Sequence, residues 1–143
     1  MQVHQETVTV DTRAAGLVDI TAEVGRVVSH SGVRVGLCVV FVQHTSASLV
    51  IQENADPAVL ADLGRWMSEL APEDRAWQHD DEGPDDMPAH ARSAITRSSE
   101  SIPVRDGRLL LGTWQGVYLW EHRRAPHQRR VVIHVSGLGS EPS

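Results

Sequence analysis

The spacing of apolar residues divides the first part of the chain into predicted strands and a helix. Residues 2–10 alternate loosely between polar and apolar positions, which predicts a first strand. Over residues 20–30 apolar side chains recur at helical spacing, and Gly32 follows where a C-terminal glycine cap belongs. The run VRVGLCVVFVQH, residues 33–44, is rich in β-branched residues. It predicts a central strand that is covered on both faces.

The rest of the chain predicts a short strand, two helices and then four strands. The short strand is expected at 48–52, and Asp56 and Pro57 are a typical helix cap and first turn for a helix that ends near Pro72. A second helix is expected at 88–97. The last four strands are expected at 101–105, 108–111, 116–123 and 129–136, with Asp106-Gly107 as a two-residue hairpin turn. This order predicts an α+β fold: one domain with a mixed or largely antiparallel sheet, packed by about three helices.

Composition limits the classes of function. A chain of 143 residues has room for one typical domain, and it contains no lysine, which excludes a Schiff base on a lysine side chain. The single cysteine cannot form an internal disulfide, the N-terminus lacks a signal-peptide pattern, and no apolar run is long enough to span a membrane. We therefore expect a cytoplasmic protein with no membrane partner. Without a basic patch and with only six aromatic residues, we expect no nucleic-acid partner.

The stretch HDDEGPDDMPAH, residues 79–90, holds most of the excess negative charge. The net charge is −6, from 19 acids and 13 arginines, and five of the acids lie between His79 and His90. Gly83-Pro84 cannot continue a helix, so the segment is predicted to be a loop with a tight turn. It is either a solvated acidic loop that caps the next helix or a site for a cation. The two flanking histidines favour the second interpretation.

Two further segments could carry chemistry. His44 ends the predicted central strand and is followed by the hydroxyls of Thr45, Ser46 and Ser48, which form either a ligand pocket or a hydrogen-bonded turn. In GTWQGVYLWEHRR, residues 112–124, alternation places Glu121 on a face with valine and leucine, where a carboxylate needs a partner. The nearby arginines could pair with it or bind phosphate; they are Arg123, Arg124, Arg129 and Arg130.

Carboxylates and arginines together are what a phosphorylated substrate with a bridging divalent cation requires, and we expect Mg²⁺ or Zn²⁺. The leading hypothesis is a metal-assisted transferase that acts on small phosphorylated metabolites. A second hypothesis is a hydrolase whose metal is bound by converging histidines, drawn from His44, His79, His90 and His122. A third is a protein that binds such a metabolite without turnover.

The motifs HTSASL, ENADP, HDDEGPDDMPAH, GTWQG and EHR resemble those of the YjbQ family, also called UPF0047, over residues 2–137. The resemblance implies a small α+β protein that assembles as a homotrimer. It also implies thiamine-phosphate synthase activity, a reaction that joins a pyrimidine methyl pyrophosphate to a thiazole phosphate and releases pyrophosphate. By motif position the matching residues are His44, Glu53, Asn54, His79, Glu82, Asp86, His90, Gln115, Glu121, His122 and Arg123.

These considerations assign expected roles to particular residues. The expected catalytic residues are His90, Glu53, Asp86 and His122. The expected substrate-binding residues are Thr45, Ser46, Asn54, Gln115, Arg123 and Arg130. The expected metal ligands are His44, His79, Glu82 and His90.

Overall fold

Eight strands and three helices are present in residues 1–139, the part of the chain that this computed structural model describes. The strands are β1 (Gln2–Thr12), β2 (Gly16–Asp19), β3 (Val33–Val42), β4 (Ala47–Glu53), β5 (Ser99–Arg105), β6 (Arg108–Leu109), β7 (Gln115–Glu121) and β8 (His127–Gly139). The helices are α1 (Thr21–Ser31), α2 (Pro57–Leu70) and α3 (Asp86–Ile95). One sheet has the order β1-β8-β3-β5-β6, the other β2-β7-β4, and all strand pairs are antiparallel. The predicted single α+β domain is confirmed.

Side chains from both sheets and from α1 form one hydrophobic core. Helix α1 contributes Val24 and Val27, which are fully buried. Alternate residues of β3, such as Val40, pack inward against buried residues of β7 and β8, including Leu119 and Ile133. Because successive strand residues point to opposite faces, this packing uses only one face of β3.

The other face of β3 is open in a single chain, so the prediction that β3 is covered on both faces is wrong at this level. Val35, Leu37 and Phe41 are 53%, 42% and 44% exposed. The sheet continues this face onto β8 and β1, where Leu138 and Val3 are exposed as well. The long apolar run of residues 33–44 therefore forms a strand with one face in the core and a second apolar face that is exposed in the single chain.

The turn and cap residues act as the sequence predicted. Asp106 and Gly107 have φ angles of 53° and 73°, the left-handed values that a two-residue hairpin between β5 and β6 requires. Gly32, with φ of 75°, ends α1. Asp56 caps α2, where its carboxylate accepts a hydrogen bond of 2.9 Å from the backbone N–H of Ala58.

Helix α3 begins at Asp86, two residues earlier than predicted, and ends at Ile95 rather than at residue 97. The early start matters because it places Asp86 inside the first turn. Residues four apart lie on the same side of a helix, so Asp86 and His90 face the same way. Within the described residues, no helix has the length and apolar character needed to cross a membrane.

Candidate functional site

Arg123 folds the acidic loop onto the end of β7. Its Nε donates to a carboxylate oxygen of Asp85 at 3.1 Å, and its Nη1 donates to Oδ1 of Asp86 at 2.7 Å. Its Nη2 donates to the main-chain carbonyl of Glu82 at 3.1 Å. The backbone N–H of Arg124 adds a 2.8 Å bond to Asp85. All three guanidinium nitrogens of Arg123 therefore hold the loop that the sequence singled out.

Asp86 is the centre of this arrangement, with its two oxygens directed to different partners. Oδ1 accepts from Arg123, while Oδ2 lies 2.7 Å from Nε2 of His79 and 3.2 Å from Nε2 of His90. Asp86 is 2% exposed, whereas both histidines are partly open to solvent. Ligand-type atoms of these three residues all lie within 4.8 Å of one another. The predicted ligands His79 and His90 thus converge on the predicted catalytic residue Asp86.

The orientation of His90 is fixed by a main-chain carbonyl. Its Nδ1 lies 3.0 Å from the carbonyl oxygen of Thr45, which can only accept, so Nδ1 must carry a proton. A neutral His90 then turns the lone pair of Nε2 toward the Asp86 carboxylate. Two lone pairs at this separation attract only if a proton or a metal ion lies between them. A histidine that binds a metal through one ring nitrogen usually donates the N–H of its other ring nitrogen to a carboxylate, a backbone carbonyl or water. His90 has this arrangement.

The charges around Asp86 keep it ionised in spite of its burial. Burial alone would raise the pKa of Asp86, but the hydrogen bond from His79 and the charge of Arg123 outweigh it, so this pKa lies below its ordinary value. The same hydrogen bond raises the pKa of His79, which is also close to the carboxylates of Asp81 and Glu82. Glu82, a predicted ligand, has an oxygen 3.8 Å from Nε2 of His79. The cluster is therefore electron-rich and suited to a cation or a mobile proton.

Two cavities flank the cluster, one on each histidine. Cavity A, of about 270 Å³, is lined by His90 together with His44, Thr45 and residues of the C-terminal half of α3. Cavity B, of about 350 Å³, is lined by His79 and by loop residues that include Arg75 and Trp77. The indole of Trp77 is fixed by a 3.2 Å hydrogen bond to the carbonyl of Pro72, and the Arg75 guanidinium lies 5.3 Å from its ring centre. The cluster thus borders two separate spaces for small molecules.

Comparison with known proteins agrees with the motifs. Residues 6–138 match the model of the UPF0047 protein YjbQ-like family. A UPF0047 protein of Synechocystis sp. is 59% identical over 94% of this chain and 92% of its own length, and YjbQ of Salmonella typhimurium is 42% identical over 94% and 98%. The chain belongs to the YjbQ family. A YbjQ-like protein of unknown function from Sulfolobus solfataricus has a similar structure, with a TM-score of 0.88 and 29% identity over 96% of this chain and 99% of that one.

Among the YjbQ motif residues, Glu121 and His122 lie in the interior. Glu121 is fully buried and accepts hydrogen bonds from Thr12 and from two nitrogens of Arg129, so the expected arginine partner is Arg129. Burial would raise the pKa of Glu121, but the bonds from Arg129 hold it below its usual value. His122 is 2% exposed, lies 2.8 Å from the hydroxyl of Ser48, and has its pKa lowered by burial to about 3. This predicted catalytic residue is a neutral, enclosed histidine.

His44 lies apart from the three clustered residues, although it was also a predicted ligand. Its Nε2 accepts a 2.8 Å hydrogen bond from the backbone N–H of Arg130, which occupies the lone pair that a metal would need. The ring borders cavity A, as does Thr45, while the Ser46 carbonyl accepts from the His122 backbone. The side chain of Arg130, a predicted phosphate ligand, is exposed. The hydroxyl-rich turn therefore forms one wall of a cavity and holds histidines through main-chain carbonyls.

The remaining predicted residues, Glu53, Asn54 and Gln115, lie at the opposite end of β7. Asn54 donates to the carbonyls of Thr113 and Gln115, and the Gln115 side chain accepts from the Gly112 backbone. Glu53 pairs with Gln115 in the sheet. A strand rises about 3.3 Å per residue, so the seven residues of β7 put this group about 20 Å from the His79 end. A single YjbQ chain keeps the two groups of motif residues apart.

Sequence reasoning missed several groups that shape the site. Asp85 was seen only as part of the acidic run, and the roles of Thr45 as a carbonyl acceptor and Arg123 as a loop clamp were not predicted. Contacts over 37 to 45 residues of chain leave no local pattern. The one available signal was the Asp86–His90 spacing, which becomes informative only if the helix includes residue 86.

Proposed function

We propose that the protein is a transferase that brings two small substrates to the His79–Asp86–His90 cluster, at least one of them phosphorylated. The observation that carries the proposal is the position of the cluster between cavities A and B, with one histidine in each wall. A hydrolase needs one organic substrate and water, whereas a transferase needs space for a donor and an acceptor. The family resemblance makes thiamine-phosphate formation the reaction to test first.

The donor set of the cluster fits a divalent cation. Two imidazole nitrogens and a carboxylate oxygen suit Zn²⁺ and similar metals, and the nearby Glu82 could add an oxygen. Bond lengths of about 2.0–2.1 Å in a tetrahedral site imply donor atoms about 3.3 Å apart. The His90–Asp86 separation of 3.2 Å matches this value, while the 2.7 Å between His79 and Asp86 would have to open slightly. A bound cation would mask the negative charge of a leaving pyrophosphate.

The chain's own residues would do the rest by position and charge. In the reaction tested first, the bond from the pyrimidine methyl carbon to the pyrophosphate oxygen breaks, and its electron pair leaves with the pyrophosphate. The lone pair of the thiazole nitrogen then forms the new carbon–nitrogen bond. Arg123 holds Asp86 ionised and aligned, and the carbonyl of Thr45 holds His90. Because no proton transfer is essential to bond exchange, the main contribution is to orient the two substrates.

The proposal is tested by following pyrophosphate release and product formation together. Protein stripped with a chelator is assayed with and without Mg²⁺ or Zn²⁺, with the pyrimidine pyrophosphate alone and with both substrates. We expect release only when both substrates are present, and a loss of at least tenfold in His90→Ala and Asp86→Asn. His30→Ala, which removes an exposed histidine at the end of α1, is the control. Absence of coupled transfer with these and other phosphorylated pairs would overturn the assignment to a transferase.

A metal-dependent hydrolase is the second candidate, because a His₂–carboxylate donor set is also that of zinc hydrolases. The same assay separates the two: pyrophosphate release that does not need the second substrate favours hydrolysis. Elemental analysis of gently purified protein gives an independent measurement. This candidate requires a transition metal at one equivalent per chain, and absence of such a metal from active protein would exclude it.

We also propose that the protein is a homotrimer, as the family resemblance implies. The support is the open apolar face of the five-stranded sheet, which includes Val3, Val35, Leu37, Phe41 and Leu138. Contiguous exposed apolar patches commonly mark association surfaces. Light scattering at micromolar concentration should give three times the chain mass, and Leu37→Asp should lower it. Ala61→Asp, on the exposed face of α2, is the matched control. A monomeric parent protein would refute the proposal.

A further inference from the structure

A third cavity, cavity C, lies between α2, the C-terminal end of α3 and β4, which is an edge strand of the smaller sheet. Its volume is about 270 Å³. Two residues of its lining, Met67 and Trp120, are almost completely buried, whereas Trp66 and Ile95 are 53% and 56% exposed and mark its opening. Sites for drug-sized ligands measure about 300–1,000 Å³. Cavity C therefore has the size for a molecule of one or two rings.

Trp120 presents an unpartnered donor to cavity C. It is 5% exposed, and its indole N–H makes no hydrogen bond within residues 1–139, unlike that of Trp77, which donates to the carbonyl of Pro72. In this part of the chain the fully enclosed polar side-chain atoms without a partner belong to Arg92 and Ser93, so the Trp120 N–H still has an opening. Because Trp120 lines cavity C, this opening faces the cavity. A buried indole usually has a partner for its N–H, and here water or a ligand has to supply it.

Gln52 adds a second donor on the same face of the smaller sheet. Ser48 lies opposite Trp120 in the sheet, and alternation places Gln52 on the side of Ser48. The Gln52 Oε1 accepts a 3.0 Å hydrogen bond from the backbone N–H of Glu53, while its NH₂ group has no acceptor within residues 1–139. The third uncharged polar group of the lining, the Thr96 hydroxyl, already donates to a main-chain carbonyl. The unused hydrogen-bonding capacity of cavity C therefore consists mainly of donors.

The apolar part of the lining favours an uncharged aromatic ring. Leu63, Trp66 and Met67 of α2 line the cavity together with Ile95 of α3. An indole ring and a thioether sulfur both make favourable contacts with aromatic rings. A charged group would lose its hydration against these walls. The lining thus combines aromatic and aliphatic walls with donors that need an acceptor.

Cavity C is separate from the His79–Asp86–His90 cluster. Asp86 lies in the first turn of α3 and Ile95 is its last residue, so a rise of about 1.5 Å per residue puts them about 14 Å apart along the helix axis. Arg97 lines both cavity A and cavity C, but it is paired with Glu100 at 3.4 Å, and its charge is not specific to either space. The donors that distinguish cavity C are those of the smaller sheet.

We propose that cavity C binds a small, uncharged aromatic molecule that carries a hydrogen-bond acceptor, such as a ring nitrogen or a carbonyl oxygen. The acceptor meets the indole N–H of Trp120 and the amide of Gln52, and the ring packs against Trp66 and Met67. The site stands whether or not the cluster catalyses transfer, because none of these residues belongs to the cluster.

The test follows the four indole N–H signals of the full chain by NMR while quinoline or isoquinoline is added at pH 7.5, where both probes are neutral. Replacing Trp66, Trp77 and Trp114 singly by phenylalanine assigns the signals, and that of Trp120 follows by elimination. We expect a saturable downfield shift of the Trp120 proton, because it gains an acceptor. The Trp66 signal should move less, and those of Trp77 and Trp114 should stay in place. Naphthalene has the same shape without an acceptor and should not move the Trp120 proton downfield.

Matched variants separate a built site from general binding to aromatic surface. Gln52→Met keeps the length of the side chain and removes one donor, so it should weaken quinoline about 2- to 10-fold and leave naphthalene within twofold. Trp66→Ala should weaken both probes, by about 2- to 10-fold. Trp114→Ala, which removes another exposed indole, is its control and should leave both within twofold of the parent. Circular dichroism checks that each variant is folded.

Three results would contradict the assignment. A Trp120 signal that stays in place at millimolar quinoline and isoquinoline, or equal effects of Trp66→Ala and Trp114→Ala, would overturn the site. Equal effects of Gln52→Met on quinoline and naphthalene, without a downfield shift of Trp120, would remove the acceptor from the ligand class. If Trp66→Ala lowers the mass in light scattering and neither probe moves the Trp120 signal, cavity C belongs to a contact between chains and is not a ligand site.

Discussion

The burial of His122 predicts a specific loss of stability in mild acid. This histidine is enclosed at the end of β7, hydrogen-bonded to Ser48 and lying beside Trp120, with ring centres 5.4 Å apart. Burial, aided by the charge of Arg92, lowers its pKa from 6.5 to about 3. Replacing it in His122→Asn removes the titrating group while keeping a polar side chain that can bond to Ser48.

The sign follows from proton binding in the two states. Between pH 6.5 and 3 the unfolded chain protonates residue 122 and the folded chain does not, so the stability from this group is complete above pH 6.5 and declines as pH falls. Each pH unit in this window corresponds to about 1.4 kcal/mol. From pH 7.5 to 5.0 the parent protein should lose about 2 kcal/mol that His122→Asn does not lose.

Urea unfolding at pH 7.5, 6.5, 5.75 and 5.0 measures the effect as a difference between the two proteins. Burial lowers the pKa of His44, and the hydrogen bond to Asp86 raises the pKa of His79, so these histidines also make stability depend on pH. Their contributions are the same in both proteins and disappear from the difference. Working above pH 5 avoids the titration of carboxylates. His30→Asn measures the change that follows removal of an exposed imidazole. Parallel pH profiles for the parent and His122→Asn would refute a buried neutral histidine.

Three other substitutions test the clamp on the acidic loop, the buried ion pair and the β5–β6 turn. Arg123→Lys should weaken Zn²⁺ affinity by about 10- to 100-fold, because one ammonium cannot hold Asp85, Asp86 and the Glu82 carbonyl together; competition with a chromogenic chelator measures it, and Arg124→Lys is the control. Arg129→Met leaves Glu121 buried without its cation and should lower the free energy of unfolding by about 3–5 kcal/mol, with a smaller loss in the double variant with Glu121→Gln; equal losses would contradict this reasoning. Gly107→Ala, at φ of 73°, should lower it by about 1–2 kcal/mol in urea unfolding, and no change would show that the turn relaxes.

Local signals predicted most of the fold. Strand alternation, the Asp56 cap, the Gly32 terminus and the Asp106-Gly107 turn each involve residues a few positions apart, so the sequence contains the whole interaction. The two ends of α3 and the exposure of the outer face of β3 were predicted less well. An apolar strand face has the same composition whether it meets the core or lies open, and only the arrangement of other elements decides which.

The site was predicted in its composition but not in its contacts. The sequence identified the acidic stretch as a possible cation site, with His79 and His90 among the expected ligands and Asp86 as an expected catalytic residue, and the structure places ligand-type atoms of these three residues together. It could not exclude His44 from that set, because the backbone N–H that occupies its Nε2 belongs to a residue 86 positions later. Nor could it find cavity A, which is formed by a turn and a helix that approach each other only in the folded chain.

The arginines near the end of the chain show why residue type alone does not assign roles. Four guanidinium groups within eight residues were equally able to pair with Glu121 or to bind phosphate. Arg129 points inward from β8 and reaches Glu121, while its neighbour Arg130 points outward, as alternation along a strand requires. Arg123 lies beyond the end of β7, where alternation no longer applies, and its partners come from the acidic loop. Arg129 and Arg123 are therefore both engaged in ion pairs within the protein, although their residue type alone suited them equally to phosphate.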